Sequence, residues 1–296
     1  MENENKLFLS IPGLMGIEIQ GRFKFDTNEI KILAQTYLPG VEIGQSGFVD
    51  IVKVNYVEGE KRGLEIIGGT YHIHDNWNGK ISLDLWHFLY SIVRLKLLEK
   101  GLYSVHSVCV GKEDHVMLIG HSGSGKSSVL LKLINDCGWK VYSGNKTVVS
   151  ITENKIQAVM GTKSISLRSE NASKYPNIFT SSVDYQTRTT FSLDKKHYSD
   201  EKNVNVSTIY VVRLNDGVEE KEVLSFPSSM HILYPYFLDT VNADTIICGG
   251  SGLLMGTPTD GCQLALVQKL KNILKQIKVI RISGSLKYIT RCIAEK

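Results

Sequence analysis

The sequence predicts an α/β protein made of a smaller β-rich N-terminal lobe, residues 1–95, and a larger domain, residues 96–296. In roughly the first 70 residues, short runs of alternating apolar and polar residues are broken by Gly, Pro and Asn, as in half-buried strands. From Tyr103 onward, apolar runs alternate with helical patterns, which is the order of a βαβ core. The chain therefore changes character near its first third.

A helical segment joins the two predicted parts, with the sequence DLWHFLYSIVRLKLLEKG from Asp84 to Gly101. Its apolar residues recur at steps of three and four, which places them on one face of a helix. Asp84 lies near its start and Gly101 follows its end, and both are ordinary helix-boundary residues. We expect this helix to connect the lobe to the domain.

The composition is that of a globular protein, because 42% of the 296 residues are hydrophobic and 22% are charged. The net charge is +4, and the charged residues form no block of like sign along the chain. No nucleic-acid or membrane partner is therefore expected. The start of the chain lacks a basic segment followed by an apolar core, and we expect a cytoplasmic protein. Five widely spaced cysteines without a C-x-x-C pair indicate neither a disulfide framework nor a structural zinc site.

The most specific chemistry lies in the segment GHSGSGKSS, which matches the pattern G-x-x-x-x-G-K-[ST]. The apolar run VMLI precedes it and a helical pattern follows it, which is the context that the pattern requires. Its glycines allow a tight turn, and amide groups with a helix N-terminus attract phosphate. We therefore expect a bound nucleoside triphosphate. The residues predicted to contact it are Gly120, Ser122, Gly123, Ser124, Gly125, Lys126, Ser127 and Ser128.

Within this segment, Lys126 is expected to reach the β- and γ-phosphates, and the Ser127 hydroxyl is expected to bind Mg²⁺. The chain has no N-K-x-D run, which disfavours a GTP switch. The run VVRLND ends at Asp216 and is the best candidate for a second nucleotide-binding acid. However, Asn215-Asp216-Gly217 has the composition of a hairpin turn, and we favour the turn.

The stretch from Gly101 to Ser150 resembles the catalytic domain of the HPr kinase/phosphorylase family. In that family a strand with a histidine, a hairpin, the phosphate loop with its helix, and a strand leading to two acids follow in this order. His106 falls at the family's histidine, and GWKVYSGN falls on the last strand. The resemblance implies a phosphoenolpyruvate-carboxykinase-like P-loop core with a mixed sheet. It also implies ATP, Mg²⁺ and transfer of the γ-phosphoryl group to a serine hydroxyl, or the reverse phosphorolysis.

The N-terminal lobe and the connecting helix look more like the family's stand-alone relatives than like its carbohydrate-sensing regulator. Those relatives phosphorylate the terminal serine of lasso-peptide precursors or small-molecule serine substrates. Dimers and hexamers occur among them, so the resemblance is compatible with a homo-oligomer.

This sequence departs from the family where the two acids belong, because Gly144 and Asn145 stand there. Asparagine can ligate Mg²⁺ through its carbonyl oxygen but cannot accept a proton. His106 would then be a replacement base, since a neutral imidazole accepts a proton near neutral pH. The competing interpretations are a hydrogen-bonded histidine on a half-buried strand for His106 and a turn residue for Asn145. Other acids remain equal alternatives as the base: Asp184, Asp194 and Asp244.

Two further features follow along the chain. Arg168 is a candidate clamp on the transferring phosphoryl group, with a surface ion pair as the equal alternative. Residues 180–203 are polar and rich in Ser and Thr, which suits a mobile loop able to cover the site or grip a substrate, with a plain solvent loop as the default interpretation. Lys146 would contact phosphate or, on the favoured interpretation, would be a solvated turn residue.

These observations favour an ATP-dependent kinase that acts on a hydroxyl group of a peptide serine or threonine, or of a small hydroxylated metabolite. Its predicted catalytic residues are His106, Lys126, Asn145 and Arg168, with Ser127 and Asn145 as metal ligands. The alternative is a nucleotide-binding module that has lost catalysis and acts through partner contacts, as Gly144 and Asn145 suggest. A nucleotide hydrolase is a weaker third hypothesis, because no clear second acidic motif is found.

Overall fold

The computed structural model describes residues 5–21, 26–44, 48, 50–58, 63–75, 83–167, 173–185, 188–241, 245–248, 251–254 and 260–295. Over these residues the protein is a mixed α/β structure with several sheets. Arg168 and Asp244, named above as candidates, lie outside the described residues. No helix in the described ranges is long and apolar enough to cross a membrane.

The first sheet contains β1 (Asn5–Ile11), β2 (Met15–Gly21), β3 (Glu42–Ile43), β4 (Ile51–Glu58), β5 (Gly63–Ile67) and β6 (Thr70–Asp75). Its strand order is β3-β1-β2-β4-β6-β5, and the β2–β4 and β4–β6 pairs are parallel. Helix α1 (Thr27–Tyr37) and the connecting helix α2 (Leu83–Glu99) supply the apolar side chains that complete its core. Trp86 of α2 is fully buried there.

The sequence predicts only strands before the connecting helix, but the structure places α1 within this lobe. Asp26 begins the helix, because its carboxylate accepts the backbone amides of Asn28 at 2.8 Å and Glu29 at 3.3 Å. Ile30, Leu33 and Ala34 are then buried on one face. The division at residue 95 stays a prediction.

The other strands are β7 (Leu102–Val105), β8 (Ser107–Gly111), β9 (His115–Ile119), β10 (Lys140–Ser143), β11 (Thr147–Ile151), β12 (Ile156–Gly161), β13 (Ser164–Leu167), β14 (Phe179–Tyr185), β15 (Arg188–Leu193), β16 (Val204–Leu214), β17 (Glu220–Val223), β18 (Thr245–Cys248), β19 (Ser251–Leu254) and β20 (Lys278–Gly284). The other helices are α3 (Lys126–Cys137), α4 (Phe226–Val241), α5 (Asp260–Ile273) and α6 (Leu286–Ala294).

The second sheet is built around the long strand β16, which runs parallel to β9 on one side and to β20 on the other. Helices α3 and α6 pack on one face, where Leu118, Tyr210 and Ile280 are buried. Helices α4 and α5 pack on the opposite face, where Ile119 and Ile209 are buried. The carboxyl ends of three parallel strands therefore meet at one edge, which is where α/β sheets bind ligands.

The run YSVHSVCV is predicted as one strand, but the structure bends it at His106 into β7 and β8. Strand β7 pairs with β11, whereas β8 pairs with β10 and β9. The pairing does not shift between the two sides of the bend: Ser143 of β10 lies opposite Cys109 of β8, and Thr147 of β11 lies opposite Val105 of β7. The two chain segments therefore bend at facing positions, and His106 comes to lie near the turn 144–146.

The predicted mobile loop over residues 180–203 is wrong. The segment forms β14, β15 and a short 3₁₀ turn at Lys195–His197, and β15 pairs with both β14 and β13. Thr189 and Thr190 are buried, and the rings of Phe179 and Phe191 pack at a tilt with centroids 4.6 Å apart. The polar composition of the segment comes from exposed residues of β14 and from buried threonines of β15. Threonine favours strands as well as surfaces.

Candidate functional site

A glycine-rich loop, residues 120–125, connects β9 to α3 at the carboxyl edge of the parallel strands. Gly123 and Gly125 have φ angles of 82° and 97°, in the left-handed region that favours glycine. A Cβ on Gly125 would lie 2.5 Å from the Cβ of Leu214 at the end of β16. The Leu214 amide donates to the Ser124 carbonyl at 2.8 Å. Glycine thus lets the loop turn tightly against β16.

Lys126 is the first residue of α3, and its side chain folds back over this loop. Its Nζ atom donates to the carbonyl oxygens of Gly120 at 2.6 Å and His121 at 3.1 Å, and the residue is only 7% exposed. The Ser124 hydroxyl is buried and has no hydrogen-bond partner among the described residues. A buried ammonium, an unpartnered hydroxyl and a helix N-terminus together suit an anion.

These groups line a cavity of about 440 Å³, which we call the loop cavity. Residues 122–128 form one wall, and His106, Gly144 and Asn145 form the other. The structure therefore brings together His106, Lys126, Asn145 and seven of the eight predicted phosphate-contacting residues. The eighth, Gly120, lies on an adjoining cavity described below.

The turn at residues 144–146 is held by contacts to its neighbours. The Asn145 amide N–H donates to the Thr162 hydroxyl at 3.0 Å, and its Nδ2 atom donates to the Thr36 carbonyl of α1 at 3.1 Å. A Cβ on Gly144 would lie 2.8 Å from the Ser164 carbonyl oxygen. Residue 144 thus has no room for a side chain in this backbone, a carboxylate included.

Lys146 follows in the same turn and contacts the N-terminal lobe instead of solvent or the loop cavity. It is only 8% exposed, and its Nζ atom lies 3.5 Å from the ring centroid of Tyr90 and 4.9 Å from that of Tyr37. Both sequence interpretations of Lys146 are therefore wrong. Aromatic rings attract a desolvated ammonium, and the flanking sequence carries no signal of this contact.

A second cavity of about 880 Å³, the α4 cavity, adjoins the loop cavity. It lies between α4 and the carboxyl ends of β16 and β20. Its polar lining includes His106, His121, Arg213, His231 and Arg281. Sequence reasoning missed both arginines, although each is a single cation within an apolar strand run, YVVRL and VIRIS. Such interruptions at the ends of parallel strands were the available signal.

Two of the alternative acids, Asp184 and Asp194, do not reach either cavity. Asp184 accepts the Thr189 hydroxyl at 2.6 Å, and Asp194 caps the 3₁₀ turn through the Lys196 amide at 3.1 Å. Neither lines the loop cavity or the α4 cavity.

The run ending at Asp216 forms a turn in which the Gly217 amide donates to Asn215 Oδ1 at 3.0 Å. It is not a hairpin of neighbouring strands, because β17 pairs with β20.

The side chains that line the loop cavity supply only part of the ligands that an ion such as Mg²⁺ needs. Among the described residues no group of three or more His, Cys, Asp or Glu side chains could hold a metal ion. Ser127 and Asn145 nevertheless line the same cavity, and both offer oxygen ligands. Mg²⁺ usually keeps several waters and binds substrate phosphates with one or two protein ligands, so this pair is compatible with it.

No protein-family model matches the chain, and no curated protein matches it. Among solved structures, the HPr(Ser) kinase/phosphatase from Coxiella burnetii aligns with a TM-score of 0.30 at 12% sequence identity. The alignment covers 66% of this chain and 91% of that chain. A TM-score this low does not establish a common fold, so the function proposed below rests on the geometry of the site.

Proposed function

We propose that the protein is an ATP-dependent phosphotransferase that moves the γ-phosphoryl group to a hydroxyl of a peptide or small molecule. The observation that carries the proposal is the loop cavity, where Lys126 and the glycine-rich loop face His106 across about 440 Å³. We further propose that the frame is a P-loop core of the phosphoenolpyruvate-carboxykinase type. In such a frame the loop follows a central strand of a mixed sheet, as it follows β9 here.

Lys126 would bind the β- and γ-phosphates. In the structure its ammonium is held by two loop carbonyls. A triphosphate would offer stronger, charge-assisted hydrogen bonds and would draw the side chain into the cavity. The amides of the loop and the Ser124 hydroxyl would complete the phosphate contacts, since that hydroxyl has no other partner in the described structure.

Ser127 and Asn145 would hold Mg²⁺ with the phosphate oxygens. The Asn145 Nδ2 atom donates to the Thr36 carbonyl, so Oδ1 is the side-chain atom that would serve as ligand. When bound, the ion would neutralise charge that develops on the phosphate oxygens. Two neutral protein ligands predict weak metal binding until nucleotide arrives.

His106 would act as the general base. It is exposed and lines both cavities, so an acceptor in the α4 cavity and a triphosphate in the loop cavity would meet beside it. The acceptor oxygen would form a bond to the γ-phosphorus as the bond to the bridging oxygen breaks. The electron pair would leave with ADP, and the acceptor proton would pass to the neutral imidazole.

The test is a mass-resolved ATP turnover assay with Mg²⁺, with and without cell extract. We expect a product that gains the mass of one phosphate. His106→Gln should lower kcat by about 10²- to 10⁴-fold, the usual contribution of a general base. Lys126→Ala should abolish product, whereas Lys112→Ala, in the exposed turn before β9, should match the parent protein. Product that does not depend on Lys126 would refute the proposal.

The second candidate is a nucleotide-binding module without catalysis, which acts through partner contacts. The closed backbone at Gly144 favours it, because no acid can occupy that position. It predicts nucleotide binding that Lys126→Ala weakens, with no phosphorylated product from any hydroxyl. The same assay, paired with a nucleotide-binding measurement, separates the two candidates.

A further inference from the structure

The α4 cavity is lined by cations from two adjacent strands. Arg281 of β20 lies opposite Val211 of β16, and Arg213 follows two residues later on the same face. That face packs against α4, which contributes His231 to the same cavity. Both arginines thus project toward one volume at the carboxyl edge of the sheet.

No Asp or Glu occurs among the described residues that line the α4 cavity. Arg281 is paired outside it, since its Nη2 atom lies 2.5 Å from Glu222 Oε2, and both side chains are about half exposed. Arg213 makes no ion pair with any described residue. The described lining therefore carries positive charge without a facing carboxylate, and the exposed Arg213 is its main source.

Helix α4 leaves one backbone carbonyl without its usual helical donor. Pro235 lies inside the helix and has no N–H group, so the carbonyl of His231 lacks its usual helical donor. Both residues line the α4 cavity. The ring of Tyr236 also lies there, with its centroid 5.7 Å from that of His121. A ligand that combines an anionic group with a hydroxyl donor would match these groups.

The two cavities adjoin at the glycine-rich loop and share part of their lining. Both are lined by His106, Ser122, Gly123, Ser124 and Leu214. A volume of about 880 Å³ is in the range of small-molecule sites. A molecule in the α4 cavity would therefore lie directly beside the proposed phosphates.

We propose that the α4 cavity binds the phosphoryl acceptor, and that this acceptor is a small hydroxylated molecule carrying a carboxylate or phosphate group bound by Arg213. The inference rests on the proposed kinase function, for which it names the substrate class. Arginine suits this task because its planar fork matches both anions.

The test compares three probes with related carbon skeletons: glycerol, glycerate and glycerol 3-phosphate. Their binding is measured by calorimetry on the full chain, with a non-hydrolysable ATP analogue present, and their turnover is measured with ATP. We expect at least one of the two anions to bind about tenfold or more tightly than glycerol. The anion that binds more tightly shows whether the acceptor carries a carboxylate or a phosphate group.

The variant Arg213→Gln should weaken binding of the preferred anion by about tenfold or more and leave the affinity for the ATP analogue within about twofold. Lys278→Gln removes an equal charge from the exposed start of β20 and should change neither. Equal binding of all three probes, binding of none, or a loss of nucleotide affinity in Arg213→Gln would each overturn the inference.

Failure of the function and failure of the inference give different results. If anions bind in a way that depends on Arg213 but no hydroxyl receives a phosphoryl group, the anion site is supported and the proposed kinase function is refuted. Transfer to neutral hydroxyls only, still dependent on Lys126, would preserve the kinase and refute the anionic acceptor.

Discussion

At the scale of single residues, Gly144 shows how a backbone contact decides which side chain a site can carry. The Ser164 carbonyl oxygen occupies the space that a Cβ would need. An acid at this position would have to displace β13. The proposed chemistry must therefore take its base from another residue of the loop cavity, and His106 lines the same wall as Gly144.

We predict that Gly144→Ala lowers the free energy of unfolding by about 1–3 kcal/mol, the usual cost of overpacking. The added Cβ would lie 2.8 Å from a backbone oxygen that cannot rotate away. Gly217→Ala is the matched control, since the nearest atom to its Cβ is Asn215 Oδ1 at an ordinary 3.6 Å. Denaturant unfolding measures both, and equal midpoints would contradict the prediction.

Lys163 provides a pH-dependent prediction. Burial lowers its pKa below the ordinary 10.5, although its Nζ atom donates to the Tyr142 carbonyl at 3.3 Å. Folding thus disfavours the charged form. The loss of folding stability caused by the charged Lys163 is complete below the lowered pKa and disappears as the pH rises toward 10.5. Between these two pKa values the unfolded chain binds more protons than the folded chain, so stability rises with pH.

We therefore expect Lys163→Met to be more stable than the parent protein at pH 7, with a gain that shrinks as the pH rises through that window. Thermal unfolding across a pH series measures it. Lys155→Met, which removes an exposed lysine, should show no such trend. A gain that grows with pH would show that the sign is wrong.

At the scale of elements, the turn between β10 and β11 acts as a connector as well as a site wall. Asn145 contacts α1, and Lys146 lies between the rings of Tyr37 and Tyr90. The same turn faces the loop cavity. Movement of the lobe would thus move a wall of the site.

We predict that Lys146→Gln destabilises the protein by about 1–2 kcal/mol, since a desolvated cation–π contact is lost. Tyr90→Leu should cost at least as much, because it also removes the hydrogen bond between Tyr90 and Ser104 at 2.9 Å. In a double-mutant cycle the two changes should be less than additive. Full additivity would show that the ring contact does not contribute.

At the scale of the whole molecule, the two sheets are joined by packing and by backbone hydrogen bonds. Val148 of β11 is part of the core of the first sheet, and Met160 packs against it. The Lys163 amide donates to the Gln35 carbonyl at 3.0 Å, and the Gly40 amide donates to the Gly161 carbonyl at 3.1 Å. The first sheet therefore shares its core with strands of the second sheet.

We expect the chain to unfold in one cooperative transition. Trp86 reports on the core of the first sheet and Trp139 on that of the second. We would follow the unfolding of Trp86→Phe and of Trp139→Phe by fluorescence and by far-UV circular dichroism. In each variant the two methods should give the same midpoint. Separate midpoints would show two independently stable units.

Local patterns in the sequence were sufficient for the glycine-rich loop, the connecting helix and the mixed α/β class. Each depends on residues close in the chain: glycines that permit a left-handed turn, a lysine at a helix start, and apolar residues at helical spacing. The same reasoning failed at residues 180–203, because polar strands and polar loops share a composition. It also missed α1, whose apolar spacing resembles short strands.

What the sequence by itself determined is the loop, with the Lys126 and Ser127 that the phosphate chemistry requires. Only the tertiary structure decided what surrounds it. The bend at His106, the closed backbone at Gly144 and the burial of Lys146 all come from chain segments that meet across the sheet. The two arginines of the α4 cavity lie about 70 residues apart in sequence but on neighbouring parallel strands. Register and packing depend on such long-range contacts, and no local pattern records them.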